Sequence, residues 1–406
     1  MNTYIILTDG IVDIGGGQLY VNSKVEFLES KGWRVFVFSK VTGKILIDGL
    51  KKYSNGVIRE LGIYPMHLTR HRREKVLRIM AESCFNDDNI IIESNSTTLS
   101  IWGEMLAYRV NGKHFLFNLN EHPHCESALY SYYLFKYKRG EFATIKKEIM
   151  VDFFRPYFKV EDAKDRVLNT VYSVRQVDDV PFKDISELHD GGKNICVIGR
   201  LDKPFVKAVV EDLKKYCTER TNENYNIVVI GGDQEGRKIS GEIKETMAGV
   251  QNVNLFMMGY MFPMPRKLLN LMDVSISSSG AVRSVGREQL LAISIDGNDL
   301  KPIGIWGITT ENTLFRNSEL EPPVEMGILL DAIFEKKYKR SDMPSSLKCD
   351  KIRTLDYLQC HLDFINKSSA EKKYFTDFKV LSRLKKMIII AVGQENYEKL
   401  WKSFHK

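Results

Sequence analysis

What this chain lacks removes several common enzyme classes. No GxxxxGK[ST] loop occurs, which excludes the P-loop way of cradling phosphates. No GxSxG sequence is present, so the strained strand-to-helix turn that exposes a nucleophilic serine is missing. There is no Asp-x-Asp pair, the usual grip on a divalent metal beside a diphosphate. The six cysteines (Cys84, Cys125, Cys196, Cys217, Cys349, Cys360) form no CxxC pair and no tandem spacing for zinc. They read as reduced thiols of a cytoplasmic protein, and no metal or other cofactor is expected. The opening MNTYIILTDG has neither the basic start nor the long apolar stretch of a signal peptide. The densest late apolar run, residues 387–392, falls far short of the roughly 20 residues a bilayer span needs. Net charge is +7, but the basic residues are spread through both halves without an RNP, zinc-finger or helix-turn-helix signature, so nucleic acid is not an expected partner.

What is present is a repeating alternation. With 406 residues, 43% apolar and 27% charged, the chain is long enough for two domains with separate cores. Apolar runs of four to eight residues alternate with helix-length polar segments, as strands covered on both faces by helices require. Strands are expected at residues 4–8, 34–39, 89–93 and 114–119, with a helix running from Gly15-Gly16-Gly17 to about Ser30. From Asn194 the alternation restarts as NICVIG, NIVVIGG, VNLFMMG, DVSIS and AISID. Between them VDDVP, ending at Pro181, breaks any regular element and marks the boundary. The fold class is α/β, with domains at 1–180 and 181–385 and a terminal helix within 386–406.

Loops that follow parallel strands collect at the carboxyl edge of the sheet, where ligands bind. The three glycines after the first strand do not fit the GxGxxG dinucleotide fingerprint, because Tyr20 stands where its last glycine belongs. They still open a helix whose N–H groups can meet an anion without a side chain in the way. GRLDKPFVK, residues 199–207, brings Arg200, Lys203 and Lys207 to the tip of a strand, cations suited to a diphosphate leaving group. SSSGAVRSVGRE, residues 277–288, follows another strand, and NLNEHPH, residues 118–124, places His122 and His124 after a strand of the first half.

In their order these loops resemble those of GT-B glycosyltransferases of the glycogen-synthase-like, group 1 type. The resemblance is nearest to transferases of bacterial capsular or surface polysaccharide assembly, helped by the run LKPIGIWGITTENTLFR. It implies two Rossmann-like domains facing each other across a cleft, with the last helix returning to the first domain. It implies a hexosyl transfer, retaining and metal-independent, from a nucleotide diphosphate sugar such as a UDP- or GDP-sugar to a glycan or lipid-linked glycan. Gly16 and Gly17 then face the donor diphosphate, and Arg200 with Lys207, or Lys203 in its place, holds the leaving group. His122, or His124, lies beside the anomeric carbon. Gly259 and Tyr260 meet the base, Ser279 and Gly280 meet the phosphates, and Glu288 binds the ribose. Gly280 stands where the family places a first glutamate, so Arg283 or Arg287 is the expected substitute. Gln289-Leu290-Leu291 also replaces the usual Gly-x-Pro. These departures keep a second reading open: a non-catalytic nucleotide-sugar or carbohydrate-binding protein with a degenerate donor site.

Two basic stretches bear on partners. LTRHRREKVLRIM carries Arg70, His71, Arg72, Arg73, Lys75 and Arg78 on one predicted helix, either a solvated face or a surface for anionic head groups. ALYSYYLFKYKRG, with Tyr132, Tyr133, Lys136, Tyr137, Lys138 and Arg139, is either a second interfacial face or an ordinary helix packed on its aromatic side. Peripheral contact with the inner face of a membrane is the expectation that follows.

Overall fold

Apolar runs buried on both faces become strands, and they do so in two separate sheets. The computed structural model describes residues 2–84, 89–120, 125–160, 163–168, 176–182, 191–233, 238–317, 319–344, 351–368, 371–378, 383–393 and 396–397. It divides into two compact units, one of Met1–Val171 with Arg353–Lys406, the other of Tyr172–Ile352.

The first unit is built on a parallel sheet of β1 (Asn2–Thr8), β2 (Arg34–Ser39), β3 (Asn89–Ser94), β4 (Lys113–Asn118) and β5 (Phe142–Thr144), in the order β2-β1-β3-β4-β5. In β1 the four consecutive residues Tyr4, Ile5, Ile6 and Leu7 are fully buried, which requires cover on both faces. That cover comes from α1 (Gly16–Ser30), α2 (Arg70–Ala81), α3 (Thr97–Val110), α4 (Tyr130–Lys138) and α5 (Lys147–Phe154). Short 3-10 segments within Asp48–His67 fill the path from β2 to α2. They carry no apolar period and were not anticipated by the periodicity.

The tyrosine-rich stretch is a correction. In α4, Tyr132, Tyr133 and Lys136 are about 1% exposed, so this helix belongs to the core and offers no interfacial face. Its lysine tolerates burial because Nζ donates to Glu104 Oε2 at 3.0 Å, Glu141 Oε2 at 2.7 Å and the His114 carbonyl at 2.8 Å.

The second unit opens with β6 (Val177–Asp178), so VDDVP begins inside it, pairing with a later strand. Then follow β7 (Lys193–Ile198), α6 (Pro204–Thr218), β8 (Tyr225–Ile230), α7 (Ile239–Met247), β9 (Val253–Gly259), β10 (Met264–Pro265), α8 (Arg266–Asn270), β11 (Val274–Ser277), α9 (Gly280–Arg287), β12 (Leu291–Ile295), β13 (Pro302–Ile305) and α10 (Met326–Phe334). The main sheet has the order β13-β12-β11-β7-β8-β9. All its pairings are parallel except β12 with β13. β6 and β10 form a separate two-stranded ribbon.

The chain then returns to the first unit through α11 (Lys351–Lys367) and α12 (Arg383–Val392), well before the expected residue 386. The contacts say why. His361, fully buried, sets its ring 5.0 Å from Phe117 and its Nδ1 3.4 Å from the Tyr20 hydroxyl. Tyr20 in turn donates to Glu93 at 2.7 Å, as do Tyr4 at 2.6 Å and Asn95 at 2.8 Å. Lys24 Nζ lies 3.6 Å from the same carboxylate, both side chains fully buried, and burial lowers the lysine pKa. Phe375 and Phe378 pack on Tyr132. Lys113 Nζ caps the end of α11 through the Ile365 and Ser368 carbonyls.

Candidate functional site

In the second unit the chain leaves β7, builds β8 and β9 on one side, then crosses to β11 on the other. The strand order therefore reverses between β7 and β11, the place where open α/β sheets form a crevice beyond the carboxyl ends. Ile198 pairs with Ser277, so the loops after these strands emerge side by side. The first loop is Gly199-Arg200-Leu201-Asp202-Lys203, the second Ser278-Ser279-Gly280.

Arg200 is held by its own loop. Its Nε and Nη2 donate to the two oxygens of Asp202, both at 3.1 Å. Lys203 is exposed at the N-cap of α6, whereas Lys207 lies a turn further along the helix and away from the sheet edge, also exposed. Between these alternatives the geometry brings Lys203, not Lys207, next to Arg200.

The second loop ends at α9 with Ser279 as N-cap, at φ 60°, and no side chain caps the helix. Its first N–H groups are thus open to an acceptor at the crevice. Gly280 is the first helical residue and Arg283 is exposed one turn in. The turn is fixed by serine hydroxyls: Ser277 Oγ donates to the Ile198 carbonyl at 2.6 Å and Ser278 Oγ to that of Ile295 at 3.0 Å. Ser279 N and Gly297 N donate to the Thr313 and Leu314 carbonyls. Asp296, just past β12, accepts the N–H of Arg316 and of Asn298, each at 2.7 Å. Burial opposes ionisation of this carboxyl, but the N–H groups of Arg316, Asn298 and Asp299 outweigh it and the pKa is lowered. The Asp296–Arg316 fastening was missed in the sequence because neither residue belongs to a motif.

The eight residues from Gly280 form a helix instead of a loop, about 12 Å long at 1.5 Å per residue, and Glu288 is its C-cap. There it is ion-paired with Arg266.

Glycines bring the remaining loops together. A Cβ on Gly231 would overlap the Gly199 carbonyl, so only glycine lets the loops after β7 and β8 touch. One on Gly232 would overlap the Tyr260 ring, which packs over it. Gly259 sits at φ 71°, a conformation that favours glycine.

The first unit has its own reversal, between β1 and β3. Here Ser96 Oγ donates to Asp9 at 2.8 Å and Lys40 pairs with the same carboxylate at 2.9 Å. Gly16 and Gly17 open α1 beside them; a Cβ on Gly17 would meet nothing within 4 Å, and its φ is not positive. Neither packing nor backbone geometry demands glycine at position 17. His122 and His124 lie outside the described residues.

A Ser94–His114–Glu104 chain lies nearby in the core. His114 Nδ1 is 2.8 Å from Glu104 Oε2 and Nε2 is 3.0 Å from Ser94 Oγ. All three are buried, with Ser94 fully so, which denies a substrate access to the hydroxyl. Among the described residues no group of three or more His, Cys, Asp or Glu side chains is placed to hold a metal ion.

No protein-family model and no curated protein sequence matches the chain. Solved structures do. An E. coli trehalose-6-phosphate structure bound with UDP-2-fluoro glucose superposes with TM-score 0.54 at 13% identity, over 90% of this chain and 99% of that one. A trehalose-6-phosphate synthase studied with bisubstrate glycomimetics gives 0.53 at 13% identity over 90% and 99%. A protein assigned as a UDP-N-acetylglucosamine 2-epimerase from Listeria monocytogenes gives 0.50 at 12% identity over 93% and 100%. At such identities the likeness speaks of fold alone. Two Rossmann-like parallel α/β units on one polypeptide, matched over nine-tenths of its length by such structures, give this chain the GT-B fold.

Proposed function

We propose that this chain is a metal-independent glycosyltransferase that moves a hexosyl group, with retention, from a nucleoside diphosphate sugar to a glycan or lipid-linked glycan in surface-polysaccharide assembly. The observation that carries the reading is the crevice between β7 and β11, where Arg200, Lys203 and the uncapped start of α9 converge. A guanidinium, an ammonium and free backbone N–H groups suit a diphosphate, whose charge rises as the glycosidic bond breaks. Neighbours of this fold that carry UDP-2-fluoro glucose support a UDP-sugar as the donor. Tyr260 and Gly259 flank the place for the base, and Gly17 leaves room for a ligand's close approach to α1. The departing phosphate takes the acceptor proton, so no protein general base is required.

A lipid-linked acceptor brings the protein to a membrane surface, and α2 supports that part of the reading. Its Arg70, Arg72, Lys75 and Arg78 are exposed, and among the described residues none has an acidic partner. Close by, α12 packs on the Pro65–His67 turn and exposes Met387, Ile388, Ile390 and Val392. No helix among the described residues is long and apolar enough to cross a membrane.

Thermal stabilisation by UDP, GDP, CMP, dTDP and ADP and their common sugars tests the reading, since a ligand at 100 times its Kd adds about 2.7 kcal/mol. A shift with one nucleotide, lost in Arg200→Ala, is the expected outcome. Nucleotide binding without sugar transfer to an acceptor would favour the binding-protein alternative, and a flat panel would sink the donor site.

A further inference from the structure

Asp202 occupies one forked edge of the Arg200 guanidinium. Arg200 and Asp202 are 26% and 12% exposed, and their two parallel bonds form the forked geometry that a guanidinium also offers a phosphate. The turn that joins them is closed by Lys203 N donating to the Arg200 carbonyl at 3.0 Å. Other acids at this sheet edge have structural duties: Asp296 accepts several backbone N–H groups, and Asp233 accepts from Ser240 N and Oγ at the start of α7. The Asp202 carboxylate has Arg200 alone as its hydrogen-bond partner among the described residues.

We infer that Asp202 is a resident counter-anion, holding Arg200 in place in the empty crevice and yielding it to an incoming diphosphate. The inference rests on the donor-site reading above and deepens it, because it names a determinant of which anions enter. A ligand must bring more negative charge than one carboxylate to win the guanidinium, and it then lies beside a second anion that has lost its partner. Asp202 thereby lowers the affinity of every anion that enters, and most that of the most highly charged.

Asp202→Asn keeps the side-chain shape and an acceptor oxygen while removing the charge. Calorimetric titration of the full chain at low salt, with UDP, GDP, CDP, dTDP and ADP and the matching monophosphates, reads the effect. We expect Asp202→Asn to bind the preferred diphosphate about 3- to 10-fold more tightly, as loss of one partly screened like charge implies, with a smaller gain for the less charged monophosphate. The gain should vanish in an Arg200→Ala background. Equal or weaker binding by a folded Asp202→Asn would overturn the inference while leaving the donor site standing. If neither form binds any nucleotide, the donor-site reading falls and takes the inference with it. Binding by Asp202→Asn alone would support both. Asp202→Ser serves the same comparison should the first variant fail to fold.

Discussion

His114 shows how a single residue carries a pH dependence through its surroundings. Burial and the nearby Lys136 charge push its pKa down to about 4, so the ring is neutral and the lysine supplies the positive charge opposite Glu104. The 2.8 Å His114–Glu104 contact is therefore a hydrogen bond to a carboxylate and not an ion pair. Glu104 itself is held at about 2: burial opposes its ionisation, but Lys136 and His114 outweigh that. Both folded values lie below the unfolded ones. The histidine's contribution is complete above pH about 6.5 and is lost as pH falls from there towards 4; the glutamate's is lost from about 4.5 towards 2. The unfolding free energy from urea titration should fall on acidification below about pH 6.5, by on the order of 3 kcal/mol for the histidine alone, and His114→Gln should flatten that upper window. Two glycines make an opposite pair of tests. A Cβ on Gly103 would overlap His114 Nε2 and Ser94 Oγ, both fixed in the buried network, so Gly103→Ala should destabilise by about 2 kcal/mol. Gly17→Ala meets nothing and should stabilise by about 0.5 kcal/mol in a thermal melt, while weakening nucleotide binding if a ligand lies against α1.

At the scale of elements, α2 exposes basic residues and α12, which packs on the Pro65–His67 turn just before α2, exposes apolar ones. Flotation with anionic vesicles at low salt should recover the protein, and both Arg72→Glu with Lys75→Glu and Ile388→Ser should reduce recovery. No flotation by the unaltered chain would remove the membrane from the proposed function. The sequence offered α4 as a second such face, because tyrosines alternating with cations look alike in an interface and in a core. What decides the matter is Glu104 and Glu141, which neutralise Lys136 from within. Strands were the legible part: β1, β7, β8 and β12 carry apolar runs buried on both faces, a pattern that a doubly covered sheet explains. The crevice loops were legible for the same reason, since they follow those strands. Glycines and serines at 279–286 read as loop, whereas the structure winds residues 280–287 into α9 against Trp306, with Gly286 admitting the indole ring. β5 and β13 escaped notice as runs of three and four residues, too short to show a period.

At the scale of the whole molecule, the two units differ in how they are assembled. The second is one continuous stretch, Tyr172–Ile352, with its own core; the first needs a distant segment. A fragment of residues 172–352 should fold alone and protect its core amides from exchange, whereas 1–171 should not, because Tyr20, Phe117, Tyr132 and Lys113 would lose partners on residues 361–378. Supplying 353–406 as a separate chain should restore the shorter fragment's near-ultraviolet circular dichroism. A stable, native-like 1–171 would show that the returning segment is dispensable.

The contact of His361 with Tyr20 also bears on the order of events during synthesis. On the ribosome the amino-terminal half emerges first but lacks the His361 ring that packs on Tyr20 and Phe117 until residues beyond 352 have been made. The later-made, contiguous unit can close while its predecessor waits as an open sheet with an exposed apolar face. The usual sequence of domain completion along a nascent chain is reversed here, and the waiting half is the natural client for a chaperone.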